Sequence, residues 1–333
     1  MDTKTLLSSI ELELQKQVSR LDQPRTEHFH EMLTYHMGWT GEGAGPEATG
    51  KRIRPLMVLL TTAASGGDWN KALPAAAAVE LVHNFSLVHD DIQDNSPKRR
   101  GRDTVWTKWG APMAINVGDA LFVISNQAVV DLKNNYPAET VLNVADVLHN
   151  TCLDLTRGQF LDMSYEERTD LTTDDYWPMV SGKTATLLSA CCHIGAILGN
   201  ADPEKQDAYK SFGQYLGLAF QIQDDILGIW GNETVTGKSV ASDLVEGKNS
   251  LPVLAGLSAN QKFAQRWRQG PIHAYEVEEI AKLLATEGGY ETAHAASRQM
   301  TDLALLNLRE ADPQGEAGDA LFDLAEMLIK RQQ

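Results

Sequence analysis

The chain has 333 residues, 43% hydrophobic and 22% charged, which is long enough to bury a substantial core and ordinary for a globular fold. Its net charge of −16 argues against non-specific binding to nucleic acid, whose phosphates would be repelled. Its three cysteines, Cys152, Cys191 and Cys192, fit neither a zinc spacing nor a complete disulfide framework and read as small buried side chains.

The N-terminus, MDTKTLLSSIELELQKQVSR, reads as an amphipathic helix. It lacks the basic start and apolar stretch of a signal peptide, so cytoplasmic residence is expected. No uninterrupted apolar run reaches bilayer length, so no membrane span is expected. Gly38 to Gly50 is glycine-rich and reads as a loop. GKRIRP follows. Gly50 lets backbone approach a ligand, and Lys51 and Arg54, three apart, are expected to share one helical turn.

A helix is predicted from Leu73 to Asp94, with apolar residues three and four apart. It ends in SLVHDDIQD. Asp90 and Asp94 are four apart, on one face, where like charges repel. They also lie at the negative end of the helix dipole. A divalent cation offsets both costs, and magnesium takes one or two carboxylates together with water and substrate phosphates. His83 is one heptad before Asp90 on nearly the same face. A basic run follows at Lys98, Arg99, Arg100 and Arg102. Concentrated basic spots in an acidic protein point to small anionic ligands.

Further helices are predicted over Ala111 to Lys133, Ala138 to Asp162 and Lys183 to Leu198. SGKTATL places Lys183 and Thr184 at the opening of the last one, where free amides favour anions. SGKT is only weak evidence for a nucleotide P-loop, because the upstream glycine spacing and preceding strand are missing. In AFQIQDDILGIWG, Gln221, Asp224 and Asp225 sit three to four apart behind an apolar stretch. Gly231 to Ser250 reads as a polar loop carrying Lys238 and Lys248. Strand-like alternation is scarce, and neither a fixed repeat nor a low-complexity linker divides the chain. The reading is one all-α domain, 1–333, of about a dozen helices.

From Gly50 to Leu254 the motifs GKRIRP, LVHDDIQD, RRG, GDALF, GKTA, FQIQDD and a GK…SDL…GK loop occur in order. In this set the chain resembles the trans-prenyl diphosphate synthases, which include farnesyl and geranylgeranyl diphosphate synthases. The resemblance implies a helical bundle of the isoprenoid-synthase type around a central apolar cavity, and a homodimer. It implies prenyl transfer from an allylic diphosphate to isopentenyl diphosphate by ionisation, condensation and elimination. Three magnesium ions are implied with substrate bound, two on Asp90 and Asp94 and the third on Asp224. Arg99, Lys183, Thr184, Gln221, Lys238 and Lys248 would contact the allylic diphosphate. Gly50, Lys51, Arg54, His83 and Arg100 would hold isopentenyl diphosphate. Phe85 with the small Ser86, just before the first acidic motif, looks like the pocket floor of an enzyme making a twenty-carbon product, with fifteen carbons next.

The resemblance departs at Gly228, where the family's second motif carries its last aspartate. A class I terpene cyclase shares the fold, but its second metal triplet would fall on Asp224, Gly228 and Asn232, which fails. A non-catalytic subunit of a heteromeric synthase would usually lack the first acidic motif, which is intact here.

Overall fold

The computed structural model describes residues 2–166, 168–231 and 241–330. Helices dominate, as the periodicity predicts, and the all-α expectation holds. The described chain falls into two compact units. One comprises Met1–His149, Cys191–Gln206 and Pro313–Ala320; the other comprises Asn150–Ala190, Asp207–Asp312 and Leu321–Gln333.

The first unit begins with α1 (Thr3–Val18), whose N-terminus is capped by Asp2 accepting from the amides of Lys4 and Thr5. Next come α2 (Glu27–His36), the short α3 (Pro46–Thr49), α4 (Ile53–Ala64) and α5 (Leu73–Gln93). The Gly38 to Gly50 stretch is therefore a loop interrupted by α3. A two-residue hairpin pairs β1 (Lys98–Arg99) with β2 (Arg102–Asp103). Its central residues, Arg100 and Gly101, have φ of 51° and 75°, the left-handed pair that tight hairpins require. It is the one sheet among the described residues, and the alternation pattern gave no sign of it because two residues make no period. Then follow α6 (Val105–Trp109), α7 (Ala111–Asp131) and the N-terminal part of α8 (Ala138–Tyr165).

Small side chains draw this unit together. Ala75 to Ala78 of α5 are fully buried, and α5 packs against α7 and α4. A Cβ on Gly118 of α7 would lie 2.2 Å from His89 Nε2 of α5, so any larger residue there would have to displace the imidazole. By length and composition alone α7 could cross a bilayer. Here it packs along α5 with other helices of its unit against it.

The second unit holds α9 (Thr173–Val180), closed at its start by a capping box between Thr172 and Asp175. Its C-terminal end runs without a break through a π-helical turn, Ser181–Ala185, into α10 (Thr186–Leu198), which from Cys191 on belongs to the first unit. After α11 (Pro203–Trp230) come α12 (Ser242–Val245), α13 (Leu251–Ala259), α14 (Lys262–Trp267), α15 (Val277–Thr286), α16 (Gly289–Glu310) and α17 (Gly315–Lys330). One apolar cluster gathers Tyr176, Val180, Leu218, Ile222, Ile226 and Leu251; another gathers Ile229, Leu244, Val253, Phe263 and Leu284. Gly213 and Gly217 of α11 lie against Leu188 and Ala185, with Cβ positions 2.4 and 2.6 Å from their backbone atoms. That close approach sets the register between α11 and the π turn.

All three cysteines are buried and free, as expected of small core side chains.

Candidate active site

In the first unit the acidic motif occupies the last turn of α5. Asp94 caps the helix, its amide donating to the Asp90 carbonyl at 2.8 Å. Asp90 is half-buried and Asp94 exposed. Asp91, between them, is buried and points to another task. Arg99 Nε and Nη2 both reach its Oδ1 at 2.8 Å. Burial raises the Asp91 carboxyl to about 6, against the opposing pull of Arg99. The pair fixes Arg99 at the foot of the acidic helix and leaves Nη1 outside that contact.

A cationic cluster stands beside it. Arg100 Nη1 donates to the Ala48 carbonyl at 2.8 Å, and its guanidinium lies 2.7 Å from where a Gly50 Cβ would be. Gly50 has φ of 77°, so both conformation and space demand glycine. Arg54 Nη1 lies 3.3 Å from His83 Nε2. A guanidinium can only donate, so that nitrogen accepts and the proton sits on Nδ1. Burial first, and then the neighbouring guanidiniums, hold His83 well below its usual pKa. The same causes bring His36 down to about 3. Both imidazoles are therefore neutral at pH 7. Among the described residues, nothing hydrogen-bonds to Arg54 Nε or to His36 Nε2, although both atoms are buried.

One expectation about GKRIRP needs correction. Arg52 takes φ of 49° and α4 begins only at Ile53. Lys51, which is exposed, therefore precedes the helix and does not share a turn with Arg54. Arg52 itself is buried, bridging Glu80 at 2.8 Å and Glu11 at 3.1 Å.

Phe85 and Ser86 lie one turn before the acidic motif, both half-buried. The Phe85 ring meets Phe122 of α7 edge-on at 5.1 Å. Ser86 Oγ donates to the His83 carbonyl.

In the second unit, Asp224 is exposed near the end of α11, while Asp225 is buried. A chain of hydrogen bonds runs from Thr184 Oγ1 to Gln221 Oε1 at 2.9 Å, and from Gln221 Nε2 to Asp225 Oδ1 at 3.0 Å. Tyr176 and the Leu251 amide donate to Asp225 Oδ2. Burial pushes Asp225 up to about 7 in spite of these donors. Lys183 pairs with Asp162. Lys183 and Thr184 do not open a helix, contrary to expectation. They sit inside continuous helix on the π turn, so no free N-terminal amides are available there. The turn instead lets the Lys183 backbone approach Gly158, where a Cβ would be 2.1 Å from Lys183 N. Lys248 Nζ lies 3.0 Å from Asp243 and 2.7 Å from Glu246. Lys238 lies outside the described residues.

Sequence reading missed His36, Tyr176 and Asp162, and gave Asp243, the aspartate of the SDL stretch, no role of its own. None of the first three stands in a motif of like residues. Their placement follows from tertiary contacts that spacing does not encode.

Among the described residues no three acidic, histidine or cysteine side chains converge on one point. Asp90 and Asp94 on one side chain row, and Asp224 on another helix, offer hard oxygens in ones and twos. Such a donor set suits magnesium, which completes its shell with phosphate and water.

In each unit an aspartate pair ends an apolar helix with guanidinium or ammonium groups nearby, a charge pattern suited to a diphosphate ligand. The particular family is plain from comparison. The polyprenyl synthetase family model matches residues 45–284, and the chain belongs to that family. It is 39% identical over 308 residues to a geranylgeranyl diphosphate synthase from Mycobacterium tuberculosis, covering 90% of this chain and 86% of that protein. It is 37% identical over 331 residues to a (2E,6E)-farnesyl diphosphate synthase from Mycobacterium bovis, covering 96% and 89%. A crystal structure of polyprenyl synthetase from Streptomyces coelicolor A3(2) superposes with a TM-score of 0.87 at 33% identity, covering 98% of this chain and all of that one. The chain is thus a prenyltransferase, a trans-prenyl diphosphate synthase of the short-chain kind.

Proposed function

We propose that this enzyme extends an allylic diphosphate with isopentenyl diphosphate to a twenty-carbon product, geranylgeranyl diphosphate, with farnesyl diphosphate the next candidate. The observation that carries the two-substrate reading is the cluster of Arg54, Arg100 and neutral His83 around Gly50. It is a basic pocket apart from the acidic motif, with a buried Arg54 Nε still to be satisfied. A diphosphate oxygen satisfies it. Gly50 lets that group meet the backbone, and Lys51 adds a mobile charge from outside.

Asp90 and Asp94 would hold two magnesium ions for the allylic diphosphate, and Asp224 would hold a third. When bound, the metal neutralises charge building on the leaving diphosphate. Arg99, held by Asp91, turns its remaining donors to the same group. Lys183 and Lys248 exchange their carboxylate partners for phosphate oxygens. Thr184 and Gln221, already linked, contact it as a pair, and Lys238 adds charge. The π bond of isopentenyl diphosphate then attacks the allylic cation, and a proton is lost to complete the new double bond. Family resemblance gives that proton to the departing diphosphate. Nothing in this sequence of events asks for a protein nucleophile.

Phe85, backed by Phe122, forms the floor that sets product length, and Ser86 leaves room beside it. The whole chain acts as one domain, a cytoplasmic homodimer. Exposed Leu142, Leu153 and Phe160 support the dimer, because they fall on one stripe of α8 at 69%, 56% and 68% exposure.

The test incubates the protein with magnesium, isopentenyl diphosphate and, separately, dimethylallyl, geranyl and farnesyl diphosphates, with products read by mass spectrometry. Elongated diphosphates ending at twenty carbons are expected. Phe85→Ala should shift the distribution by at least one isoprene unit upward. An unchanged distribution would remove Phe85 from the floor, and hydrocarbon release without isopentenyl diphosphate would overturn the synthase reading.

A further inference from the structure

The basic run after the first acidic motif holds one arginine to which no ligand falls. Arg102, on β2, faces the chain that leads to Gly50. Each of its guanidinium nitrogens donates to a main-chain carbonyl: Nη1 to Tyr35 at 2.8 Å, Nη2 to Thr40 at 2.6 Å and Nε to Glu42 at 2.9 Å. Tyr35 lies in the last turn of α2, where carbonyls lack helical partners and the dipole is negative, so a cation is favoured there. The same guanidinium lies 4.0 Å over the Tyr35 ring. The Tyr35 hydroxyl donates back to the Asp103 carbonyl at 2.9 Å. The loop closes tightly round this arginine. Gly41 and Gly43 have φ of 82° and 70°, and a Cβ on them would lie 3.3 Å from Arg102 Nη2 and from Arg102 Cγ, respectively. Glycine supplies both the turn and the room. Further along, Arg100 Nη1 takes the Ala48 carbonyl at 2.8 Å. The hairpin thus grips the loop twice, through Arg102 where it leaves α2 and through Arg100 where it reaches Gly50.

We propose that Arg102 is a positioning residue for isopentenyl diphosphate, clasping the Gly38 to Gly50 loop onto the hairpin so that Gly50 is held against Arg100. The claim rests on the proposed isopentenyl diphosphate site at Gly50, Lys51, Arg54 and Arg100. Carbonyls spread along a turning chain need a planar fork of donors. A lysine ammonium on one flexible stem cannot reproduce it. The role is also selective between substrates. Arg99 is anchored by Asp91 of α5 and not through the loop, so the allylic side keeps its anchor when the clasp is lost.

The experiment uses the full chain and two variants, Arg102→Lys and Arg102→Met. Steady-state kinetics give kcat and separate KM values for isopentenyl and geranyl diphosphates. Backbone hydrogen exchange is followed over residues 38–49. In both variants KM for isopentenyl diphosphate should rise about 10-fold or more, the scale of loss expected when a binding group is misplaced by a fraction of an ångström to an ångström. KM for geranyl diphosphate and kcat should stay near those of the parent. Exchange should quicken over 38–49 and not in the buried middle of α5.

An Arg102→Met variant with an unchanged KM for isopentenyl diphosphate would overturn the proposal. So would equal rises in both KM values, the mark of general loosening. An Arg102→Lys variant indistinguishable from the parent would do the same, because charge alone would then suffice. If Arg102→Met folds poorly, Arg102→Lys decides by the same criteria. A parent that consumes no isopentenyl diphosphate would defeat the assigned function separately. Exchange over 38–49 then still decides whether Arg102 holds the loop: quickened exchange in the variants supports the clasp and unchanged exchange overturns it.

Discussion

His83 and His36 are held uncharged by their surroundings. Each imidazole is desolvated and faces arginines, so protonation is doubly opposed. The unfolded chain protonates them near 6.5, whereas folded His36 resists to about 3. The folded state thus binds fewer protons across that window. Stability is full above pH 6.5 and declines as pH falls from there towards 3. We expect Tm to drop between pH 7 and 5, and the slope to flatten in His36→Gln. A variant slope identical to that of the parent would mean His36 is not held neutral. At this scale the sequence was informative where residues of one kind stood at helical spacing, as with Asp90 and Asp94. It was misleading where neighbours in a basic run take different jobs. Lys51, Arg52 and Arg54 look alike in sequence, yet Arg52 is sequestered by Glu80 and Glu11.

Among elements, glycine decides which helices may touch. Gly118 admits His89, Gly217 admits Ala185, and Gly158 admits the Lys183 backbone. The third case bears most directly on the site, since it places the π turn beside the helix that carries Asp162. A methyl at 158 would meet backbone and not a flexible chain end, so relief requires moving the turn. Gly158→Ala should cost about 1–3 kcal/mol or more by overpacking, measured by chemical denaturation, and should raise KM for the allylic substrate. Gly118→Ala meets only a side-chain imidazole and should be milder. If the two cost the same, the distinction between backbone and side-chain neighbours fails. Helix extents were legible because α5, α7 and α8 keep their apolar period over five turns or more. The π turn was not, because one extra residue in a helix barely disturbs a period of 3.6. The same limit applies to the start of α4, which a single left-handed residue delays.

For the molecule as a whole, the proposed homodimer would cover the exposed Leu142, Leu153 and Phe160 of α8. Light scattering should give a dimer for the parent, and Phe160→Glu should lower the mass towards a monomer while leaving the helical signal intact. A parent that stays monomeric at tens of micromolar would refute the homodimer. Overall class was readable from an ordered set of motifs; the division into two compact units was not, because no linker, proline run or charge block marks it.

The buried thiols have a practical corollary. Burial raises Cys152 to about 11 and Cys192 to about 12, and Cys191 well above its ordinary value. In the native molecule all three should be nearly inert to iodoacetamide, which consumes only accessible thiolate. Alkylation then records opening events. Cys152 belongs to one compact unit, and Cys191 and Cys192 belong to the other, so peptide mapping after timed exposure yields two clocks from one unmodified chain. Clocks that keep the same time describe a protein that opens all at once; clocks that part describe halves that breathe independently.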